Sequence, residues 1–191
     1  MKTGVVSDSR VELIMRVLIG YDSGKGTVKT SVERMIRPLK NLDITVVSLN
    51  EETPDPNEYD IIVLGGSVRF GKLRSAVRNY LKANEDVLAQ KDLALFFCCG
   101  LVEEQEYYAE KLFSKTLREK AFHLSFFGGS LNPEGLSFFD KWMVKSMRAS
   151  LLESEIDNGN YVPNLPYILP ENIDDMANAI IDKANERIKA K

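Results

Sequence analysis

Four short runs of nearly unbroken aliphatic and aromatic residues recur along the chain, at Val17–Tyr21, Ile61–Gly65, Leu93–Cys99 and Ala121–Phe127. A strand with so little polar alternation is buried on both of its faces. Between the runs lie segments with helical spacing: 25–40, where Val28, Val32, Met35, Ile36 and Leu39 share a face, then 73–89, 104–119, 135–152 and 171–190. A fifth run, Ile44–Leu49, is closed by a turn containing Pro54 and Pro56. Right-handed crossovers between parallel strands place helices above and below the sheet. The expected architecture is a three-layer α/β/α sandwich with a five-stranded parallel sheet of order 2-1-3-4-5. Its ligand crevice lies at the carboxyl ends of the first and third strands, where the connections diverge.

Composition narrows the reading. With 191 residues, 44% of them apolar, the chain can bury one core, and residues 15–191 read as a single domain. Residues 1–14 have no unbroken apolar stretch, being interrupted by Asp8, Arg10 and Glu12, so they read as a disordered extension and not as a secretory leader. The longest apolar run, 93–99, is too short to cross a bilayer, and a cytoplasmic location is expected. A net charge of −3 and a pI near 5.4 argue against a nucleic-acid partner. There are too few βα units for a TIM barrel. Cys98 and Cys99 are adjacent and point to opposite faces, so they read as two small apolar residues in a reducing compartment, with a redox dithiol as the rival.

Three loops carry the candidate chemistry. The first, Asp22 to Thr27, leaves the first strand and enters a helix at once. Gly24 and Gly26 allow close backbone approach, Ser23 and Thr27 carry hydroxyls, Lys25 adds charge, and the opening helical N–H groups lack intrahelical partners. Such a turn suits a phosphate or a simple helix cap equally well. It is neither a Walker A loop nor a G-x-G-x-x-G fingerprint, since Lys25 precedes the last glycine and Lys29 stands where a third glycine belongs. The second loop, Ser67-Val68-Arg69-Phe70-Gly71, offers Phe70 as a flat apolar face, although a lone Phe is more often core. The third, Cys99-Gly100-Leu101-Val102, follows the fourth strand. Together they suit a planar heterocycle with a phosphorylated tail.

In order, Y-D-S-G-K-G-T-V-K, L-G-G-S-V-R-F-G-K-L-R-S-A-V and F-F-C-C-G-L resemble the flavodoxin-domain family. Within it they are most similar to the branch of the flavodoxin-type protoporphyrinogen oxidases (protoporphyrinogen IX dehydrogenases). The phrase G-S-V-R-F-G is the most specific match, and F-F-G-G-S-L followed by F-F-D-K-W-M-V-K resembles the same branch. The resemblance spans 15–152 and the last helix. It implies a flavodoxin-like fold and FMN, with Ser23, Gly24, Lys25, Gly26 and Thr27 at the phosphate. Ser67, Val68, Arg69, Phe70 and Gly71 would lie along one side of the ring, and Cys99, Gly100 and Leu101 along the other. It also implies oxidoreductase or electron-transfer activity, with a redox partner protein, a quinone or a small-molecule substrate. One position departs from the family pattern: Val28 stands where phosphate loops usually carry a hydroxyl. That departure predicts weaker FMN binding and keeps open a cofactor-free binding or regulatory module.

No catalytic acid–base set or metal site stands out. His123 is the only histidine and reads as a structural strand residue. Glu103, Glu104 and Glu106 suit a helix N-terminus. Phe138, Phe139, Trp142, Met143 and Met147 lie beside Lys141, Lys145 and Arg148, which suits a helix docked on the sheet or one touching a membrane surface or redox partner. The connection 153–170, with three prolines, brings Tyr161 and Tyr167 either over a ring edge or against the outer helices.

Overall fold

A computed structural model of the chain describes residues 15–24, 26–99, 105–129 and 168–190. The expectations for 1–14, for the aromatic-basic helix at 135–152 and for Tyr161 and Tyr167 lie outside the described residues, as do Lys25, Gly100 and Leu101.

Strands β1 (Arg16–Asp22), β2 (Asp43–Ser48), β3 (Ile61–Arg69), β5 (Asp92–Cys98) and β6 (His123–Phe126) pair in parallel in the order β2-β1-β3-β5-β6, and a two-residue β4 (Lys72–Leu73) folds back antiparallel on β3. Apart from that addition the sheet follows the 2-1-3-4-5 order expected from the apolar runs. β1 leads left to β2 while β3 leads right to β5, so the chain diverges between the carboxyl ends of β1 and β3.

Alternation along the buried strands supplies two apolar layers. Val17, Ile19, Ile61, Val63, Phe96 and Cys98 face helices α1 (Thr27–Ile36) and α6 (Pro170–Lys189). Leu18, Ile62, Leu64, Leu95, Phe97 and Cys99 face α2 (Ser75–Ala83), α3 (Glu85–Leu88), α4 (Gln105–Leu112) and α5 (Lys115–Lys120). The adjacent cysteines thus lie in opposite layers, both buried and neither in a disulfide among the described residues. Phe96 stacks on Phe127 with ring centroids 4.8 Å apart. Gly65 makes room for it: a Cβ there would lie 2.2 Å from the Phe96 carbonyl oxygen.

Several boundaries differ from the sequence expectation. The helix expected over 25–40 ends at Ile36, where Pro38 has no N–H to continue it. The segment 73–89 is two helices, parted at Asn84, whose side-chain amide donates to the Tyr80 carbonyl at 3.0 Å. The segment 104–119 is likewise broken, and Ser114 opens α5 by accepting from the Leu117 N–H at 3.3 Å. The largest difference is at the third strand, which runs four residues past Gly65 to Arg69 and turns back on itself.

Candidate functional site

The first loop is built for backbone donors. Gly26 has φ +91°, with no described atom within 4 Å of the position a Cβ would take, and its carbonyl accepts the first helical N–H, from Thr30, at 2.9 Å. Ser23 Oγ accepts from the Gly26 N–H at 3.2 Å and closes the turn. Among the described residues no side chain caps α1, which leaves its first N–H groups at the positive end of the helix without a capping side chain there. Thr27 occupies the first helical position, and its carbonyl accepts from Ser31 Oγ at 3.0 Å. Val28 is buried in the α1–α6 layer. The residue that breaks the family's hydroxyl pattern is therefore a core side chain.

The second loop is a hairpin and not the open loop that the sequence suggests. Arg69 pairs with Lys72, and Phe70 (φ +52°) and Gly71 (φ +70°) form the two-residue connection. Positive φ at both central positions is what a type I′ turn requires, and Asn-Gly is its usual sequence. A phenylalanine in that conformation is uncommon. The turn holds Phe70 out into solvent at 55% exposure, with the Arg69 guanidinium 5.1 Å from the ring centroid. From the other side Lys111 of α4 approaches the tip: a Cβ on Gly71 would lie 3.0 Å from its Nζ. Ser67 and Val68 are half-buried at the end of β3, beside Cys98 of β5. Behind them Gly66 lets β3 lie close to β1, since a Cβ there would sit 3.0 Å from the Asp22 carbonyl.

Of the third loop, Cys99 is described. Its N–H donates to the Gly128 carbonyl at 3.0 Å and its side chain is buried. It can lend main chain to the crevice but not a thiol. Cys98, one residue back, is sealed in the other layer. Burial pushes its thiol up to about 12, against a smaller opposing effect of contact with Ser31.

The structure also brings in residues that the sequence reading left aside. Asp22, at the end of β1, is fully buried. Its Oδ1 accepts from Arg74 Nε at 2.7 Å and from Asn50 Nδ2 at 2.6 Å, while Oδ2 is buried with no partner among the described residues. Arg74 precedes α2 and reaches back over the first loop, where a Cβ on Gly24 would lie 2.9 Å from its Nη1. A cavity of about 440 Å³ beside the hairpin is lined by Arg69, Phe70, Lys72, Leu73, Arg74, Ser75 and Arg78. Its four cations contrast with the acidic chain as a whole. The hint in the sequence was the spacing of R-F-G-K-L-R, which a hairpin folds onto one side. His123 begins β6, at the end of the sheet away from these loops.

These features define a class: a doubly wound α/β protein that places a helix start, an exposed aromatic ring and a cationic wall at the carboxyl ends of β1 and β3. A flavodoxin-domain family model matches residues 18–155, and the chain belongs to that family. No curated protein sequence matches it. Among solved structures it is similar to the flavin mononucleotide-bound flavodoxin of Fusobacterium nucleatum, with 12% identity, a TM-score of 0.49, and coverage of 89% of this chain and 99% of that one. Oxidised flavodoxin 1 of Bacillus cereus gives 16% identity, a TM-score of 0.47, and coverage of 73% and 99%. The rubredoxin:oxygen oxidoreductase of Desulfovibrio gigas gives 12% identity and a TM-score of 0.47. The match takes in 73% of this chain but only 35% of that longer one. No described helix is long and apolar enough to cross a membrane.

Proposed function

We propose that this chain is a flavodoxin-like electron-transfer protein or oxidoreductase that uses FMN at the carboxyl edge of β1 and β3. One observation carries the reading: the uncapped start of α1 and the outward-held Phe70 flank the same edge of the sheet, as a phosphate-tailed ring requires. The residues present fit that group. Gly24 and Gly26 place no side chain at two positions of the loop, Arg74 lies over Gly24, and Phe70 supplies a stacking face. FMN is the group this site takes; when bound, it supplies reversible electron uptake. The N–H groups of α1 and the hydroxyls of Ser23 and Thr27 would hold the tail, and main chain at 67–71 and 99–101 would border the ring. A redox partner protein, a quinone or a small substrate would exchange electrons at the ring's open edge. Cys98 and Cys99, buried and outside any described disulfide, suit a reducing, cytoplasmic setting. Purified protein, or protein reconstituted with FMN, should absorb near about 375 and 450 nm. A sample that stays colourless after reconstitution leaves the cofactor-free binding module as the reading.

The narrower reading is dehydrogenation of a porphyrinogen with a quinone as acceptor, as the G-S-V-R-F-G phrase suggests. The cationic wall of Arg69, Lys72, Arg74 and Arg78 supports it, because such a substrate carries carboxylates. Protoporphyrinogen mixed with FMN-loaded protein and a quinone should develop the absorbance of oxidised porphyrin. Its absence overturns the narrower reading and leaves electron transfer to another partner.

A further inference from the structure

Resting on the FMN reading, we propose that Arg74 clasps the flavin phosphate, held in place by Asp22 and Asn50, and so replaces the loop hydroxyl that Val28 displaces. The guanidinium has a fixed orientation. Its Nε is bound by Asp22 Oδ1 at 2.7 Å, and the Asn50 amide donates to the same oxygen at 2.6 Å. The Asp22 side chain is 1% exposed and cannot swing away, whereas Arg74 remains 32% exposed. With Nε engaged, four N–H donors remain on the terminal nitrogens. Nη1 lies over the first loop: a Cβ on Gly24 would be 2.9 Å from it and 3.5 Å from Cζ.

Asp22 accounts for one edge of the guanidinium, not for where the other lies. A carboxylate with one oxygen buried and unpartnered among the described residues is a costly structural anchor. A group that holds an arginine at a fixed angle against an anion loop has a reason to be kept there. Charge does not oppose the arrangement. Arg74 offsets Asp22, and Arg69, Lys72 and Arg78 in the same cavity keep the surroundings positive for a dianion. Glycine at 24 then has a specific role, because any side chain would press on the clasp.

The test compares FMN with riboflavin, which has the same ring and no phosphate, by quenching of flavin fluorescence on titration with apo-protein. Arg74→Gln should weaken FMN binding about 10- to 100-fold, as expected for loss of a charge-assisted contact, and leave riboflavin binding unchanged. Arg74→Lys should restore part of the loss. Gly24→Ala, which keeps the charge but displaces the guanidinium, should shift the FMN-to-riboflavin ratio in the same direction. If Arg74→Gln fails to fold with Asp22 left unpaired, the Asp22→Asn/Arg74→Gln pair removes both charges and should show the same selective loss. Equal losses for the two flavins, or an unchanged FMN constant, overturn the clasp. A wild-type chain that binds neither flavin overturns the FMN reading itself and the clasp with it.

Discussion

Phe70 is the residue at which stability and the proposed flavin binding pull apart. Its φ of +52° places an exposed aromatic side chain where the backbone favours glycine or asparagine, at a strain on the order of 1–2 kcal/mol. The Arg69 guanidinium over the ring returns roughly 0.5–1 kcal/mol. A side chain 55% exposed adds little through burial. Phe70→Asn would create Asn-Gly, the preferred sequence for this turn. The variant should unfold at the same or a higher denaturant concentration, with a gain on the order of 1 kcal/mol. It should also bind FMN and riboflavin more weakly by similar factors, about 2- to 10-fold, through lost stacking worth roughly 0.5–1.5 kcal/mol. That differs from the phosphate-selective loss expected at Arg74. Unchanged flavin affinity would remove Phe70 from the site.

At the scale of elements, glycine in the strands is a packing requirement. Gly65→Ala would drive a Cβ to within 2.2 Å of the Phe96 carbonyl oxygen and 2.5 Å of its ring, both held by the sheet and by the Phe127 stack. The expected cost is about 3 kcal/mol in denaturant unfolding, since backbone cannot yield as a flexible side chain can. A loss below about 1 kcal/mol would mean that β5 moves more freely than its packing implies. The same strands explain why the sheet order could be read in the sequence. Runs such as I-I-V-L and L-A-L-F-F are buried on both faces, and that leaves few topologies to choose from. The hairpin could not be read, because Phe-Gly does not signal a turn that Asn-Gly would have announced. Missing the hairpin hid Arg74, which reaches the first loop only because β4 reverses the chain. The helix breaks escaped notice for a similar reason. Asn84 and Ser114 act through local side-chain hydrogen bonds within otherwise periodic segments.

Across the whole molecule, His123 and Cys98 set where stability first falls away on either side of neutral pH. Burial lowers the pKa of His123, with Asp175 pulling the other way, so the folded chain binds that proton less readily than the unfolded one. Its contribution is fully present above the unfolded value near 6.5 and is lost as pH falls through the depressed folded value. Cys98 acts in the opposite sense: its thiol is raised from 9.0 to about 12, so its contribution is complete below pH 9 and is lost as pH climbs toward 12. Asp174, lowered by its hydrogen bond to Arg34 at 2.6 Å, adds a further loss only below its ordinary value of 3.8. Urea midpoints measured against pH should therefore form a plateau between about 6.5 and 9 with a shoulder on each side. His123→Gln should flatten the acid shoulder and leave the alkaline one. Cys98→Ala should lower the whole curve through lost packing and delay the alkaline fall to above pH 10, where Tyr80, whose hydroxyl is also raised by burial, loses its contribution. Because the thiol is sealed in the core, a thiol reagent should leave Cys98 unmodified at pH 8 until the chain unfolds. Rapid labelling of the native chain at that position would mean that the layer between the sheet and α1 opens locally, with a free energy well below that of global unfolding.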